Sequence, residues 1–532
     1  MADPSVSLES RVRAAEERVG ALAEENRRLA ETNGRLRRVI QDMAERHEVE
    51  LAAERAARER LELQVAELAR RVGMDSSNSS TPPSKEPLAA KEKRKATRAA
   101  SQRVRSKDRK PGGQPGRDGA RLAPADDPDR TETAVPPAEC SSCRADLSGG
   151  RDAGAGWAQV WDLLPAVLEK VHWVLPRRRC GCCGKVTTAS VPFARPGCVT
   201  YGPHLNGAAV LLVSEGNVPV ERAAALIDGL VGVAVSSGFV ARANARLGER
   251  LDAAGFDAAM RKALAAEPVL CADETPVNLW HKDRGADGAE LAGSPHVVTV
   301  RTPAPGLVWY APVHSRSSKA LKDLGVLDGF TGHLVRDDYS GWAQFDAQPA
   351  GVQQCLAHMI RHLQGVWDLH HDEQRWARRV QDVLREAHTA VTTATAAGDD
   401  HLDPDLLTAL RARYDKDVEW GRITNRCRDW HDGNHPGHKL ARRLADKADQ
   451  VWLFTKNFAV PWTNNPAEQA LRGPKRHQAV SGYWHRPATL GAYCRVRSYL
   501  VSARDHGIRA LDAIHDALAG RPWLPTPVAT AA

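Results

Sequence analysis

Residues 6–73 carry a heptad repeat, and no single compact domain can absorb one that long. Val12, Val19, Asn26, Asn33, Ile40 and His47 fall at one core position; Leu8, Ala15, Leu22, Leu29, Leu36 and Met43 fall at the other. β-Branched residues at a with Leu at d favour a parallel two-stranded coil, and Asn at a gives up stability to fix register and strand number. After His47 the phase shifts, and Leu61, Val65, Leu68 and Val72 resume the seam in a new frame. The alternative is a helical hairpin within the chain. At 532 residues the sequence exceeds one core and leaves room for roughly three or four structured units.

Periodicity stops at Gly73. The stretch to Arg121 holds Asp75-Ser-Ser-Asn-Ser-Ser-Thr-Pro-Pro-Ser84 and Lys110-Pro-Gly-Gly-Gln-Pro-Gly-Arg117, a composition that cannot bury a core and reads as a flexible tether. Between Lys85 and Arg121 stand 13 Lys/Arg against four acids, a local +9, while the whole protein carries only +8. Charge concentrated in this way points to a polyanion and to phosphate contact without base specificity. Met1 leads into polar sequence without an apolar signal segment, and no apolar run approaches the roughly 18 to 20 residues of a membrane span. A cytoplasmic protein is expected.

Beyond the tether, residues 136–192 form a small cysteine-bearing unit. Val220 to Leu230 and Ser236 to Leu247 read as two amphipathic helices around a turn at Gly232, compatible with a helix-turn-helix. Strand-like runs follow at Pro268–Ala272, His296–Arg301, Leu307–Val313 and His333–Asp337, with a helix over Ser317–Leu324. From Gln353 to about Leu453 the pattern is helical again, and a last helical stretch runs from Asn464 to about Leu518 with a break near Gly482.

Two constellations carry chemistry. Cys140-x-x-Cys143 and Cys180-Gly-Cys182-Cys183-Gly184 supply two thiolate pairs, enough for a closed tetrahedral zinc site. Cys180 and Cys183 match the spacing of Cys140 and Cys143, which makes Cys182 a spare. With four ligands the zinc is structural, and paired cysteines of this kind favour a reducing compartment. Asp273 follows the apolar run Val269–Ala272, Asp337 follows Leu334–Arg336, and Glu468 stands in the first turn of a helix opened by Asn-Pro. Carboxylates from two strands and a helix can hold two Mg²⁺ (or Mn²⁺) ions about 3.5 to 4 Å apart, one at the attacking and one at the leaving oxygen of a phosphodiester.

At these residues the chain resembles the DDE transposases of the insertion-sequence 66 family. The likeness rests on the zipper, Asn78-Ser-Ser-Thr-Pro-Pro-Ser84, Lys110-Pro-Gly-Gly-Gln-Pro-Gly116, the four cysteines, Ala272-Asp-Glu-Thr-Pro276, Asp337-Asp-Tyr-Ser-Gly341, Cys355-Leu-Ala-His358 and Asn464-Asn-Pro-Ala-Glu-Gln-Ala-Leu-Arg472. It covers nearly the whole chain. Arg361-His-Leu departs from the more basic and aromatic sequence usual after that His. The resemblance implies an RNase H-like α/β catalytic domain with an α-helical insertion before the glutamate, and metal-ligand roles for Asp273, Asp337 and Glu468. The family pattern selects Asp337 over Asp338, and strand alternation sends the two to opposite faces. Cys355 and His358 form an element near the site without an assigned role.

The expected architecture is therefore multidomain α+β. It comprises a coiled coil (1–75), a basic linker (76–125), a zinc-finger-like module (126–200), a helical segment (201–265), a catalytic core (266–352 and 456–518) interrupted by a helical insertion (353–455), and a tail (519–532). Arg472, Lys475 and Arg476 are expected on DNA phosphates, with His477 in the same patch. The function implied is metal-dependent cutting at transposon ends and strand transfer into target DNA, by a zipper-held homodimer with companions encoded beside it. The alternatives are an RNase H-like nuclease without strand transfer and an inactive transposase-derived zinc-finger DNA-binding protein.

Overall fold

The computed structural model describes residues 8–79, 86, 91–92, 124–156, 158–160, 168–191, 195–281, 293–431 and 433–527. Most of the basic run, including Lys110 to Gly116, lies outside the described residues, as do Ser80 to Ser84. The chain divides into two units, Met1–Glu86 with Ala357–Phe458, and Pro87–Leu356 with Ala459–Ala532.

The heptad region is one unbroken helix, α1 (Leu8–Val72), so no hairpin forms within it. Its seam is bare: Val19, Leu22, Leu29, Ile40 and Met43 are all exposed. The cysteine unit contributes a two-stranded antiparallel sheet, β1 (Arg177–Arg179) and β2 (Val186–Thr188). Four helices follow, α2 (Pro203–Val210), α3 (Val220–Val231), α4 (Ser237–Ala253) and α5 (Phe256–Ala265). Gly232 closes α3 in the left-handed conformation at φ 67°, and the Ser236 hydroxyl caps α4 by accepting from the Phe239 N–H.

The central sheet comprises β3 (Val269–Pro276), β4 (His296–Arg301), β5 (Val308–Val313), then, after α6 (Ser318–Lys322), β6 (His333–Arg336) and β7 (Gly351–Gln354). Its order is β5-β4-β3-β6-β7. The first three strands are antiparallel neighbours, while β6 and β7 run parallel to β3. β7 departs from the expected helix beginning at Gln353. Gln353 and Gln354 are wholly buried there, because the ladder to β6 takes up their backbone groups, and a short polar segment of this kind has no apolar period to reveal it.

Burial alternates across the sheet. Val298, Val300, Trp309 and Ala311 join a core with α2 to α5, whereas Val297, Val308 and Tyr310 pack with Leu471, Trp484 and Tyr493 on the other face.

The first unit is completed by α7 (Leu356–Trp367), which begins at the boundary, and by α8 (Arg375–Ala397), α9 (Pro404–Asn425), α10 (Pro436–Asp446) and α11 (Ala448–Lys456). Trp376, Tyr414 and Trp452 fill its interior. Gly421 is required there, since a Cβ would stand 2.3 Å from the Trp376 ring. The chain then re-enters the second unit as α12 (Asn465–Ala470), α13 (Arg472–Ser481), α14 (Pro487–Asp505) and α15 (Ala510–Leu518). α14 closes the open edge of β5. The Val308 and Tyr310 N–H groups donate to the Ser502 and Ser498 hydroxyls at 2.9 and 2.8 Å, removing a template for edge-to-edge pairing.

Candidate active site

Asp273 is not at the end of its strand, as the apolar run suggested, but in the middle of β3. On one side β3 pairs with β4 as far as Pro276 and His296. On the other, pairing with β6 stops at Cys271 opposite Val335. One flank of β3 is therefore free of ladder bonds from Ala272 onward. Continued by two residues, the same register brings Asp273 level with Asp337, and neighbouring strands are about 4.8 Å apart.

Asp337 is held from behind. Arg336, fully buried, donates from Nε and Nη2 to both oxygens of Asp346 at 2.9 and 2.5 Å, and from Nη1 to the Asp337 carbonyl at 2.6 Å. This fork fixes the backbone where β6 ends. The Asp337 carboxylate itself accepts from the Tyr339 N–H at 3.0 Å. The Tyr339 ring lies over Gly341, where a Cβ would come within 2.4 Å of it, which explains the glycine in Asp-Asp-Tyr-Ser-Gly.

Glu468 arrives on α12, and Asn464 ties that helix to the sheet. The buried Asn464 amide donates to the Ala272 carbonyl at 2.8 Å, its backbone N–H points to the Cys355 sulfur at 3.2 Å, and its carbonyl accepts from the Glu468 N–H at 3.1 Å. A single side chain thus connects the residue before Asp273 with the helix that carries Glu468. Cys355 Sγ lies within 4.8 Å of a carboxylate oxygen of Glu468, and His358 follows in the first turn of α7.

The three acids are coupled electrostatically. Burial raises the Asp273 carboxyl well above its usual range, and the charges of Glu274, Asp337 and Glu468 add to that rise. Asp337 is also raised, chiefly by burial, with the Tyr339 N–H and the charges of Arg316 and Arg336 opposing it. The oxygens of the three do not all gather within 4.8 Å of one another. Asn464 Oδ1 is buried with no hydrogen-bond partner among the described residues. The raised carboxyls of Asp273 and Asp337, with Glu468 brought in by Asn464, supply oxygen donors of the kind a hard divalent cation takes.

Sequence reasoning missed Glu274 and Arg316. Alternation turns Glu274 to the face opposite Asp273, where it accepts from Trp342 Nε1 at 2.7 Å and pairs with Arg316 at 3.3 Å. Burial and the charge of Asp337 push its carboxyl up to about 7. Arg316 stacks 3.4 Å from the Tyr339 ring centroid, and the Tyr339 hydroxyl donates to the Arg316 carbonyl at 2.7 Å. The one available signal was an acid adjoining Asp273, and nothing local distinguishes it from a solvated residue.

Of the basic patch, Arg472 and Arg476 are exposed on α13, while Lys475 donates to the Pro276 carbonyl at 3.3 Å. His477 is turned inward and stacks against Trp484 with ring centroids 4.9 Å apart.

The cysteines form two matching knuckles. The Cys140 N–H bonds to the Ala145 carbonyl and the Arg144 N–H to the Cys140 carbonyl, each at 2.9 Å. Cys180 repeats the pattern with Lys185 and Gly184 at 2.8 and 3.0 Å. Arg144 and Gly184 both adopt positive φ, 59° and 69°. In each knuckle backbone N–H groups of the following residues lower the first thiol (Cys143 and Ser142 for Cys140, Cys183 and Cys182 for Cys180). No three of Cys140, Cys143, Cys180 and Cys183 have sulfurs within 4.8 Å of one another, whereas a tetrahedral site draws all four to about 4 Å.

Asp273 and Asp337 thus stand on neighbouring strands of the sheet, with the helix of Glu468 tethered beside them. A family model described as Transposase IS66 family matches residues 199–490, more than half of the chain. The chain belongs to this transposase family. No curated protein matches it. Membership implies DNA as partner and a divalent metal as cofactor. Among the described residues no helix is long and apolar enough to cross a membrane.

Proposed function

We propose that the chain is a DDE transposase that cuts DNA at the ends of a mobile element and joins the freed 3′ end to target DNA. The observation that carries this reading is the register of β3 and β6, which sets Asp273 level with Asp337, together with the Asn464 tether that brings in Glu468. The sheet order β5-β4-β3-β6-β7, three antiparallel strands followed by two parallel ones, supports an RNase H-like core.

Asp273, Asp337 and Glu468 would hold Mg²⁺ or Mn²⁺. Bound there, two such ions supply charge stabilisation to the attacking and leaving oxygens of an in-line displacement. The residues around them position and screen. Arg336 fixes the Asp337 backbone, Asn464 fixes the helix of Glu468, and Arg316, paired with Glu274, places a cation near Asp337. Arg472, Lys475 and Arg476 contribute cationic charge toward the DNA backbone. Cys140, Cys143, Cys180 and Cys183 would close on a structural zinc, which draws the knuckles together as it binds. The bare seam of α1 supports a homodimer that holds two element ends. DNA as substrate places the protein with the bacterial nucleoid, and companions encoded beside the gene would complete the assembly.

The test is Mg²⁺-dependent cleavage and joining of labelled DNA carrying the element's ends. Asp273→Ala, Asp337→Ala and Glu468→Ala should each lose both activities, by roughly a thousandfold or more, while retaining DNA binding. Cleavage that survives in Asp337→Ala would remove that residue from the triad, and cutting without joining would leave a nuclease.

A further inference from the structure

A cavity of about 410 Å³ opens on the other side of the helix that carries Glu468. α12 turns Asn465, Pro466, Gln469 and Ala470 to it, of which Pro466 and Ala470 lie on the side away from Glu468 on a helix of 3.6 residues per turn. Four guanidinium groups line it, those of Arg301, Arg476, Arg497 and Arg504. The carboxylates that answer them are Asp505, in the lining, and Glu215, which takes Arg497 at 3.0 Å and Arg504 at 3.1 Å. Four cations against two anions leave the cavity positive.

Arg497 is the built part of this site. It is 8% exposed, and its Nη1 is fixed by the Ser214 carbonyl at 2.9 Å and by Glu215. Its Nε is buried with no hydrogen-bond partner among the described residues, a costly arrangement for a charged donor. Gly473 packs against this edge: a Cβ there would stand 3.3 Å from Arg497 Nε and 3.5 Å from Nη2, so only a glycine lets the guanidinium lie this close to α13. A guanidinium fixed in the lining, with the half-exposed Arg504 beside it, suits an anionic oxygen. The cavity is far larger than one phosphate ion needs, so a chain can run through it.

We propose that this arginine pocket binds a backbone phosphate of the DNA strand flanking the position at which Glu468 acts. The proposal rests on the transposase reading and adds to it a phosphate seat built on Arg497 and Arg504, bordered on one side by Arg476 of α13. The seat would fix the strand's path one helix width away from the carboxylates without reading sequence.

The experiment measures binding of a fluorescein-labelled DNA duplex by the full chain between roughly 50 and 200 mM KCl, where each phosphate contact adds about 0.9 to the slope of log K against log salt. Arg504→Gln, on the half-exposed arginine, should lower that slope by about 1. Arg497→Lys keeps the charge but loses the fork, and should weaken binding severalfold with less change in slope. Thermal melting of both variants checks the fold. If Arg497→Lys fails to fold, Arg504→Gln decides alone.

Equal slopes and affinities in wild type and Arg504→Gln would overturn the pocket while leaving cleavage, and with it the transposase reading, intact. No DNA binding by wild type at any salt would overturn both. Protection from melting by inorganic phosphate, compared with chloride at equal ionic strength, then separates the failures. Protection present in wild type and lost in Arg504→Gln identifies an anion site that DNA does not use; equal protection denies the site altogether.

Discussion

At the scale of single residues, the candidate site depends on groups that fix the acids more than on the acids alone. Gly341 is one of them. A methyl group there would press on the Tyr339 ring, and that ring supports Arg316 and adjoins the N–H that Asp337 accepts. Gly341→Ala should therefore lower cleavage by about tenfold or more, with a stability loss of about 1–3 kcal/mol from overpacking. Steady-state cleavage rates and urea melts of the same preparations check both, and unchanged rates would separate Tyr339 from the site. Asp337 was readable from its motif. Asn464 was readable only as the start of a helix, because its bond to the Ala272 carbonyl spans 192 positions. Glu274 showed only as an acid adjoining Asp273, and Arg316 gave no signal.

At the scale of elements, α1 is one continuous helix over the heptad region. Among the described residues its apolar seam is exposed along most of its length, the surface on which the proposed homodimer rests. Leu29→Asp should convert a dimer to a monomer in light scattering at unchanged helix content elsewhere, and a variant that remains dimeric would place the interface outside this seam. The knuckles predict a second outcome. One zinc per chain should be released by a mercurial and detected with a chromogenic chelator, and Cys140→Ser should abolish it; a metal-free wild type that binds DNA normally would rule the zinc out. Strand periodicity revealed β3, β4, β5 and β6, because each carries an apolar run. It missed β7, whose Gln353 and Gln354 are buried through ladder bonds, and it ended β3 too early, because Asp273 and Glu274 break the apolar run while β4 still pairs with them.

At the scale of the whole molecule, the first unit joins positions 290 and 363 residues apart. The Glu67 carboxylate accepts from Arg70 and Arg71 within α1 and from Trp430 Nε1 at 3.0 Å, and Asn78 donates to Asp368 at 3.1 Å. The hydrogen bond from Arg70 leads the interactions that hold the Glu67 carboxyl down to about 2, against an ordinary value of 4.5. A depressed carboxyl stabilises the fold above its unfolded pKa and loses that contribution as pH falls toward the folded one. Protection of residues 60–79 from hydrogen exchange should therefore be constant above about pH 5 and decline between about pH 4.5 and 2. Glu67→Gln should cost about 2–4 kcal/mol at neutral pH and flatten that dependence. Equal protection at pH 3 and pH 7 in wild type would contradict the assignment.

The sequence by itself determined the long helix, the two thiolate pairs, most strands of the sheet and the motifs bearing Asp273, Asp337 and Glu468. These are matters of period, spacing and local turn chemistry, which act within a few residues. Only the tertiary structure decided that β3 runs on past Asp273, that its register sets Asp273 level with Asp337, that Asn464 anchors the glutamate helix, and that four arginines from distant segments line one cavity. Each of these depends on pairing or packing between positions far apart in the chain, where no local pattern records which partner will be met.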